Sequence, residues 1–83
     1  MDKMQAKAVL DTLMILDGNG IEERTLRQYV NNRLAVMLSP TEARELFMQM
    51  KAAGYIGKIS DEFGEKYFIV ESGRFKQVEL SRL

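Results

Sequence analysis

The chain contains no cysteine and no histidine among its 83 residues. Without thiolate or imidazole side chains, cysteine and histidine catalysis, disulfide bonds and the usual zinc sites are excluded. No apolar run is long enough to span a bilayer. The N-terminal residues do not resemble a secretory signal, because Lys7 and Asp11 interrupt the apolar residues there. We therefore expect a cytoplasmic protein that holds no metal and is not bound to a membrane.

A surplus of basic residues is also missing, since 12 lysines and arginines are balanced by 12 aspartates and glutamates. Strong sequence-independent affinity for nucleic acid usually requires such a surplus. A neutral chain can bind DNA only if its cations gather on one face. Hydrophobic residues make up 46% and charged residues 29% of the chain, which is typical of one globular domain over residues 1–83 with a modest core.

The strongest local pattern is the start of a helix. Ser39 is a good N-cap, Pro40 suits the first helical position, and Glu42 completes a capping box. Gly54 ends the helix, which we place at about 40–53. Its buried stripe, with apolar residues at i, i+3, i+4 and i+7, comprises Ala43, Leu46, Phe47 and Met50.

Turn residues and alternating apolar residues divide the rest of the chain. The Asp-Gly-Asn-Gly cluster at 17–20 predicts a turn, and its spacing does not fit a calcium loop. Ile21 fits a one-residue strand, and the loop at 61–65 fits a hairpin with a bulge. The remaining elements are helices at about 3–17 and 23–36, strands at about 55–60 and 66–70, and a C-terminal element at 74–82. We interpret this last element as a helix, although Val78 and Leu80 also fit a strand.

The first two helices carry apolar residues that predict how they pack, and one set of them has two explanations. In the second helix, the apolar stripe comprises Leu26, Tyr29, Val30, Leu34 and Met37, and Met37 and Leu38 form the buried turn that follows. The first helix has a broad apolar face and a second apolar patch nearly opposite. The second patch is explained either by packing inside the same chain or by a homodimer seam. It comprises Met4, Ala8 and Ile15.

The order of three helices, a hairpin and a short C-terminal element resembles the winged helix-turn-helix superfamily. Its most specific stretch runs from Ser39 to Ile56, together with the hairpin that ends at Val70. The chain looks most like small bacterial and phage regulators related to the arsenical-resistance and multiple-antibiotic-resistance repressors. The resemblance implies an α+β, mainly α fold with three helices, a two-stranded β-hairpin wing and a short C-terminal helix.

This resemblance also implies a DNA-binding surface, because the third helix of such proteins typically lies in the major groove and the wing contacts the backbone or the minor groove. Arg44 would then suit a guanine and Gln49 an adenine, while lysines would contact phosphates. The candidate residues are Thr41, Arg44, Glu45, Met48, Gln49 and Lys51 on the third helix, and Lys58 and Lys66 on the wing.

Several residues instead favour a protein partner. The centre of the third helix's exposed face holds Glu45, Met48 and Ala52, and the wing loop is net acidic, which repels phosphate. A patch at Met48 and Ala52 with Phe63 at the wing tip would suit a protein groove. Two functions therefore remain: a DNA-binding transcriptional regulator, or a winged-helix protein interaction module that does not bind DNA.

An enzyme is not predicted. The glycines at 18 and 20 lack the lysine and the spacing of a phosphate-binding loop. No pair of carboxylates has a spacing that suggests acid–base chemistry. The tyrosines are more simply explained as core or interface residues, so no catalytic residue and no cofactor is implied.

Overall fold

The computed structural model describes residues 1–16 and 20–82. The elements are α1 (Lys3–Ile15), β1 (Ile21–Glu22), α2 (Glu23–Asn31), α3 (Pro40–Ala52), β2 (Ile56–Asp61), β3 (Gly64–Ile69) and α4 (Glu71–Ser81). Their order confirms the predicted one. None of the helices in this part of the chain combines the length and the hydropathy that crossing a bilayer requires.

Helix α3 begins with the predicted capping box. The Ser39 Oγ accepts a hydrogen bond from the Glu42 backbone N–H at 3.1 Å, and the Glu42 Oε1 accepts one from the Ser39 N–H at 3.0 Å. The backbone hydrogen bond from Ser39 lowers the pKa of Glu42. The side of α3 that faces the core is the predicted one, comprising Ala43, Leu46, Phe47 and Met50.

Helix α2 is shorter than predicted, because it ends at Asn31 rather than near residue 36. The Asn31 Nδ2 donates to the Leu38 carbonyl at 3.0 Å, and the Leu38 N–H donates to the Asn31 Oδ1 at 2.8 Å. These two bonds turn the backbone out of the helix. Leu38 is buried as predicted, but Met37 is 71% exposed and Tyr29 is 46% exposed. The prediction that Met37 lies in a buried turn was therefore wrong.

The wing belongs to a sheet of three antiparallel strands in the order β1-β3-β2, rather than to a hairpin alone. Ile21 pairs with Tyr67, which confirms the predicted strand before α2 and extends it to two residues. This pairing ties the start of α2 to the wing. The position of α2 relative to the wing is thus fixed by backbone hydrogen bonds.

The turn of the hairpin is tighter than the predicted loop. Asp61 pairs with Gly64, which leaves only residues 62–63 between the strands. The Asp61 Oδ1 accepts a hydrogen bond from the Phe63 N–H at 2.8 Å. Gly64 has φ +118°, a conformation that residues with a side chain rarely adopt. The turn therefore needs the glycine and places Phe63 at its tip.

Helix α4 confirms the predicted C-terminal helix but begins at Glu71, three residues before the predicted start at 74. Gly73 lies so close to the Tyr55 carbonyl oxygen that a Cβ there would collide with it. The Gln77 Nε2 donates to the Asp11 Oδ1 at 2.8 Å, so α4 is bonded to α1. Burial raises the pKa of Asp11, but hydrogen bonds from Lys7 and Gln77 leave it lowered overall.

Helix α1 lies at the centre of the fold, where it contacts α2, α3, α4 and β3. Ala8 is only 5% exposed and belongs to the core, whereas Met4 is 69% and Ile15 is 66% exposed. Ala8 is therefore not available for the predicted homodimer seam, because residues of its own chain cover it. The described part of α1 ends at Ile15 rather than at 17, and the predicted turn at 17–20 lies, except for Gly20, outside the described residues.

Candidate nucleic-acid interface

The side of α3 that faces away from the core forms a continuous exposed surface, here called the α3 face. Met48 at its centre is 61% exposed. The predicted candidate residues all lie on this exposed side, which a recognition surface requires. They are Thr41, Arg44, Glu45, Met48, Gln49 and Lys51.

Arg44 differs from its neighbours on the α3 face because it is paired with a carboxylate of α2. The Arg44 Nη2 and Nε both donate to the Glu23 Oε2, at 3.2 and 3.3 Å. The Glu23 carboxylate raises the pKa of Arg44 by hydrogen bonding and by its charge. The Arg44 side chain is 65% exposed in spite of this contact. Arg44 is thus accessible, but much of its charge is compensated.

The Glu23 carboxylate is itself held from the opposite side by the wing. The Tyr67 hydroxyl donates to the Glu23 Oε1 at 3.3 Å. The Tyr67 side chain is buried, and its ring packs against Phe47 with centroids 5.3 Å apart. Burial raises the pKa of Tyr67, so the hydroxyl remains a proton donor at neutral pH. Glu23 therefore joins α2, α3 and β3 at one point.

Both candidate lysines of the wing also have acidic partners. The Lys58 Nζ lies 2.7 Å from the Glu65 carboxylate and 5.5 Å from the centre of the Tyr67 ring. The Lys66 Nζ lies 3.8 Å from the Asp61 carboxylate. Hydrogen bonding to Lys58 lowers the pKa of Glu65. Lys58 lies over the Tyr67 ring, on the side of the sheet that packs on α3, whereas Lys66 is the next residue before Tyr67 and points to the other side. Each of the two lysines has a carboxylate within 4 Å that compensates part of its charge.

Helices α2 and α3 carry cations that are not paired in this way. Within residues 1–16 and 20–82, Lys51 on α3 and Arg24 and Arg27 on α2 have no ion pair. Lys51 and Arg24 are exposed, and Arg27 is half-buried. These three are therefore the cations of α2 and α3 whose charge no acidic partner compensates among the described residues.

Sequence reasoning did not identify Glu23 or Tyr67 as part of this surface. Glu23 is 21 residues from Arg44 and 44 residues from Tyr67 in the chain. No local pattern relates residues so far apart. Only the strand pairing of β1 with β3, which places the start of α2 beside the wing, could have indicated the contact.

The apolar residues predicted for a protein-binding patch are exposed as well. Phe63 at the wing tip is 74% exposed, and Met48 and Ala52 are exposed on α3. Exposed apolar side chains scattered singly are common on protein surfaces. They do not by themselves favour a protein partner over DNA.

Comparison with known proteins identifies the fold. No family model and no curated protein matches the chain. Among solved structures, F93 from STIV, described as a winged-helix DNA-binding protein, shares 17% identity at a TM-score of 0.79, over 99% of this chain and 88% of that one. SSV1 F-93 shares 16% identity at a TM-score of 0.69, over 93% and 82% of the two chains.

A larger protein contains the same fold as one part. A MarR family transcriptional regulator from Silicibacter pomeroyi shares 17% identity at a TM-score of 0.76. The match covers 99% of this chain but 51% of that one, so this chain spans about half the length of that regulator. At such identities the likeness establishes the fold, and the chain has a winged helix-turn-helix fold of the α+β, mainly α class. The fold that the sequence resemblance implied is confirmed.

Proposed function

We propose that this chain binds DNA and acts as a small transcriptional regulator, not as an enzyme, with the α3 face in the major groove. The observation that carries this proposal is that α2 and α3, the two helices of the helix-turn-helix, carry three cations without an acidic partner among the described residues: Lys51, Arg24 and Arg27. The descriptions of STIV F93 as a DNA-binding protein and of the similar MarR family protein as a transcriptional regulator support it.

The side chains on the α3 face suit two kinds of contact. Lys51 carries a full charge and is suited to a phosphate, which positions a domain without reading sequence. Gln49 can form two hydrogen bonds with an adenine, Arg44 can do so with a guanine, and Glu45 can accept from a cytosine amino group. Thr41 at the start of α3 suits either a phosphate or a base edge.

The wing contributes less in this proposal. Lys58 and Lys66 would each have to leave a carboxylate before they could neutralise a phosphate. We therefore propose that they are secondary phosphate contacts. A chain of zero net charge then binds random-sequence DNA only modestly, with affinity that depends on the few cations of α2 and α3.

We also propose that two copies associate. Helices α1 and α4 carry large apolar side chains that their own chain leaves uncovered: Met4 and Ile15 are 69% and 66% exposed, and Phe75 and Val78 are 69% and 44% exposed. A symmetric dimer would present two α3 faces to two half-sites of one operator. The Phe75→Asp variant should then be monomeric in sedimentation, whereas Phe63→Asp should not change the oligomeric state.

The cellular setting is part of the same proposal. The resemblance to small bacterial and phage regulators supports an origin of that kind. A protein that reads DNA in such a cell works in the cytoplasm, where the DNA is.

A double substitution tests the DNA-binding proposal. The unmodified protein should be retained on random-sequence DNA at low salt, and retention should fall as salt is added. Replacing Arg44 and Lys51 together by alanine should weaken retention, because it removes the phosphate contact of Lys51 and the base contact of Arg44 while Arg24 and Arg27 remain. The matched control replaces Lys3 and Arg82, an exposed lysine and arginine outside α2, α3 and the wing, and should bind as the unmodified protein does. No retention of the unmodified protein, or equal losses in both variants, would contradict the proposal.

A further inference from the structure

The contact between Arg44 and Glu23 uses one particular edge of the guanidinium. Both hydrogen bonds, from Nε and from Nη2, reach the same oxygen, Glu23 Oε2. A guanidinium has five N–H groups. Among the described residues, the two N–H groups of Nη1 and the second one of Nη2 therefore have no partner. The outer end of the Arg44 side chain keeps the fork that binds a guanine with two hydrogen bonds.

The acceptor in this contact has a second partner, which an ordinary surface ion pair lacks. Exposed pairs contribute little because two long side chains must be held in one geometry. Here the second carboxylate oxygen, Glu23 Oε1, accepts from the Tyr67 hydroxyl at 3.3 Å. The Tyr67 side chain is 1% exposed and packs on Phe47 of α3. The carboxylate therefore contacts a side chain of the core through one oxygen and Arg44 through the other.

From this geometry we propose that Glu23 is a positioning residue that holds Arg44 ready to read a guanine and prevents it from serving as a general phosphate contact. This inference rests on the proposed function. Binding a phosphate gains from a full positive charge that displaces counterions, and the Glu23 carboxylate compensates that charge. Reading a base gains from a side chain held in one direction, and the contact supplies this.

Lys51 and Arg44, the two cations of the α3 face, then contribute differently to DNA binding. Lys51, which has no acidic partner in the described part of the chain, supplies salt-dependent affinity. Arg44, which has one, supplies base preference with little dependence on salt. The negative charge of Glu23 thus lowers the contribution of Arg44 to non-specific binding and leaves its contribution to sequence specificity. This matters on a surface that has few cations.

The test compares Glu23→Gln with Glu22→Gln. Glu22 is the preceding residue, is exposed and forms no ion pair with another described residue, so both substitutions remove one negative charge from neighbouring positions. Binding to a random-sequence duplex is measured against salt between about 50 and 200 mM. Glu23→Gln should steepen the log–log slope by about 0.9, the value for one added phosphate contact, and Glu22→Gln should leave it unchanged.

Two further measurements separate positioning from a general charge effect. In an Arg44→Ala background, Glu23→Gln should no longer change the slope. Arg44→Lys keeps the charge but lacks the fork. It should therefore keep the salt slope of the unmodified protein and lose the preference for guanine among duplexes selected from a randomised library.

A circular-dichroism melt would show whether Glu23→Gln folds. If it does not fold, a second variant that keeps every charge still tests the proposal. Tyr67→Phe removes only the hydroxyl that holds Glu23, so it should weaken the guanine preference and leave the salt slope unchanged. If the unmodified protein binds DNA and the two glutamate variants behave alike, the positioning role is overturned and the proposed function stands. If neither the unmodified protein nor Glu23→Gln binds DNA, both are overturned.

Discussion

The α3 face and the wing carry lysines of very different availability. Lys51 on α3 has no acidic partner within the described part of the chain, whereas Lys58 lies 2.7 Å from Glu65 and Lys66 lies 3.8 Å from Asp61. All three were equal candidates for phosphate contacts in the sequence. In a chain of zero net charge, the pairing of each cation decides which surface can attract DNA.

The difference follows from the geometry of the two elements. Residues three and four positions before Lys51, its neighbours on the helix, are Met48 and Phe47, and neither is charged. In the hairpin, the register places Lys58 opposite Tyr67 and Ser60 opposite Glu65, so Lys58 and Glu65 are diagonal neighbours. Strand pairing thus brings together opposite charges that the helix keeps apart.

The largest expected effect is that of a negative charge placed on the α3 face, compared with the same charge placed on the wing. Met48→Asp lies at the centre of the α3 face and should weaken binding to random-sequence DNA by about 30-fold, on the order of 2 kcal/mol, because like charges across an interface repel. Phe63→Asp makes the same kind of change at the wing tip and should have little effect. Fluorescence anisotropy would measure both. A larger loss for Phe63→Asp would reverse the comparison.

Removing single lysines should give a smaller and more diagnostic effect. Lys51→Ala should reduce the salt slope of binding by about 0.9, the contribution of one phosphate contact. Lys58→Ala should reduce it much less, since Glu65 already compensates that charge. Equal reductions in the two salt titrations would show that pairing does not determine the role of a lysine here.

Releasing a wing lysine should strengthen binding slightly. Glu65→Gln removes the partner of Lys58 and should improve affinity by roughly threefold or less, as expected for an exposed pair. The control is Glu62→Gln, an exposed acid of the same wing that forms no ion pair in the described structure. If the control improves binding by the same factor, the gain reflects only the charge of the wing.

The smallest expected effect is that of pH. Lys58 lowers the pKa of Glu65, so the stability that their pair contributes is present above the pKa of a glutamate in the unfolded chain. It is lost only as the pH falls through the lowered value. Since the chain has no histidine, DNA binding should be constant between about pH 5 and 8. A tenfold change in Kd within that range would contradict this expectation.

Local chemistry made α3 the most predictable element of the fold. Its capping box and buried stripe lie within 14 consecutive residues, Ser39 to Ala52, so sequence spacing alone specified its start and its exposed side. The end of α2 could not be predicted in this way. There the apolar pattern continued, and the helix ended because the Asn31 side chain bonds the backbone of Leu38 seven residues away.

The candidate site, like the fold, was predictable only where it depends on residues that are close in the sequence. Exposure of the α3 candidates followed from helical periodicity. The pairing of Arg44 with Glu23, and the removal of Ala8 from the surface, depend on how α1, α2 and the wing pack in three dimensions. The residues that form a helix face can therefore be predicted from the sequence. The residues that compensate the charges on that face lie on other elements and cannot be predicted in this way.

The most direct test of the α3 face is a backbone amide NMR titration with a random-sequence duplex at low salt. We expect the chemical-shift changes to concentrate at residues 41–52 and at Arg24 and Arg27, with smaller changes in the wing. Changes centred on α1 and α4, or none at all, would contradict the assignment of the α3 face as the DNA-binding surface.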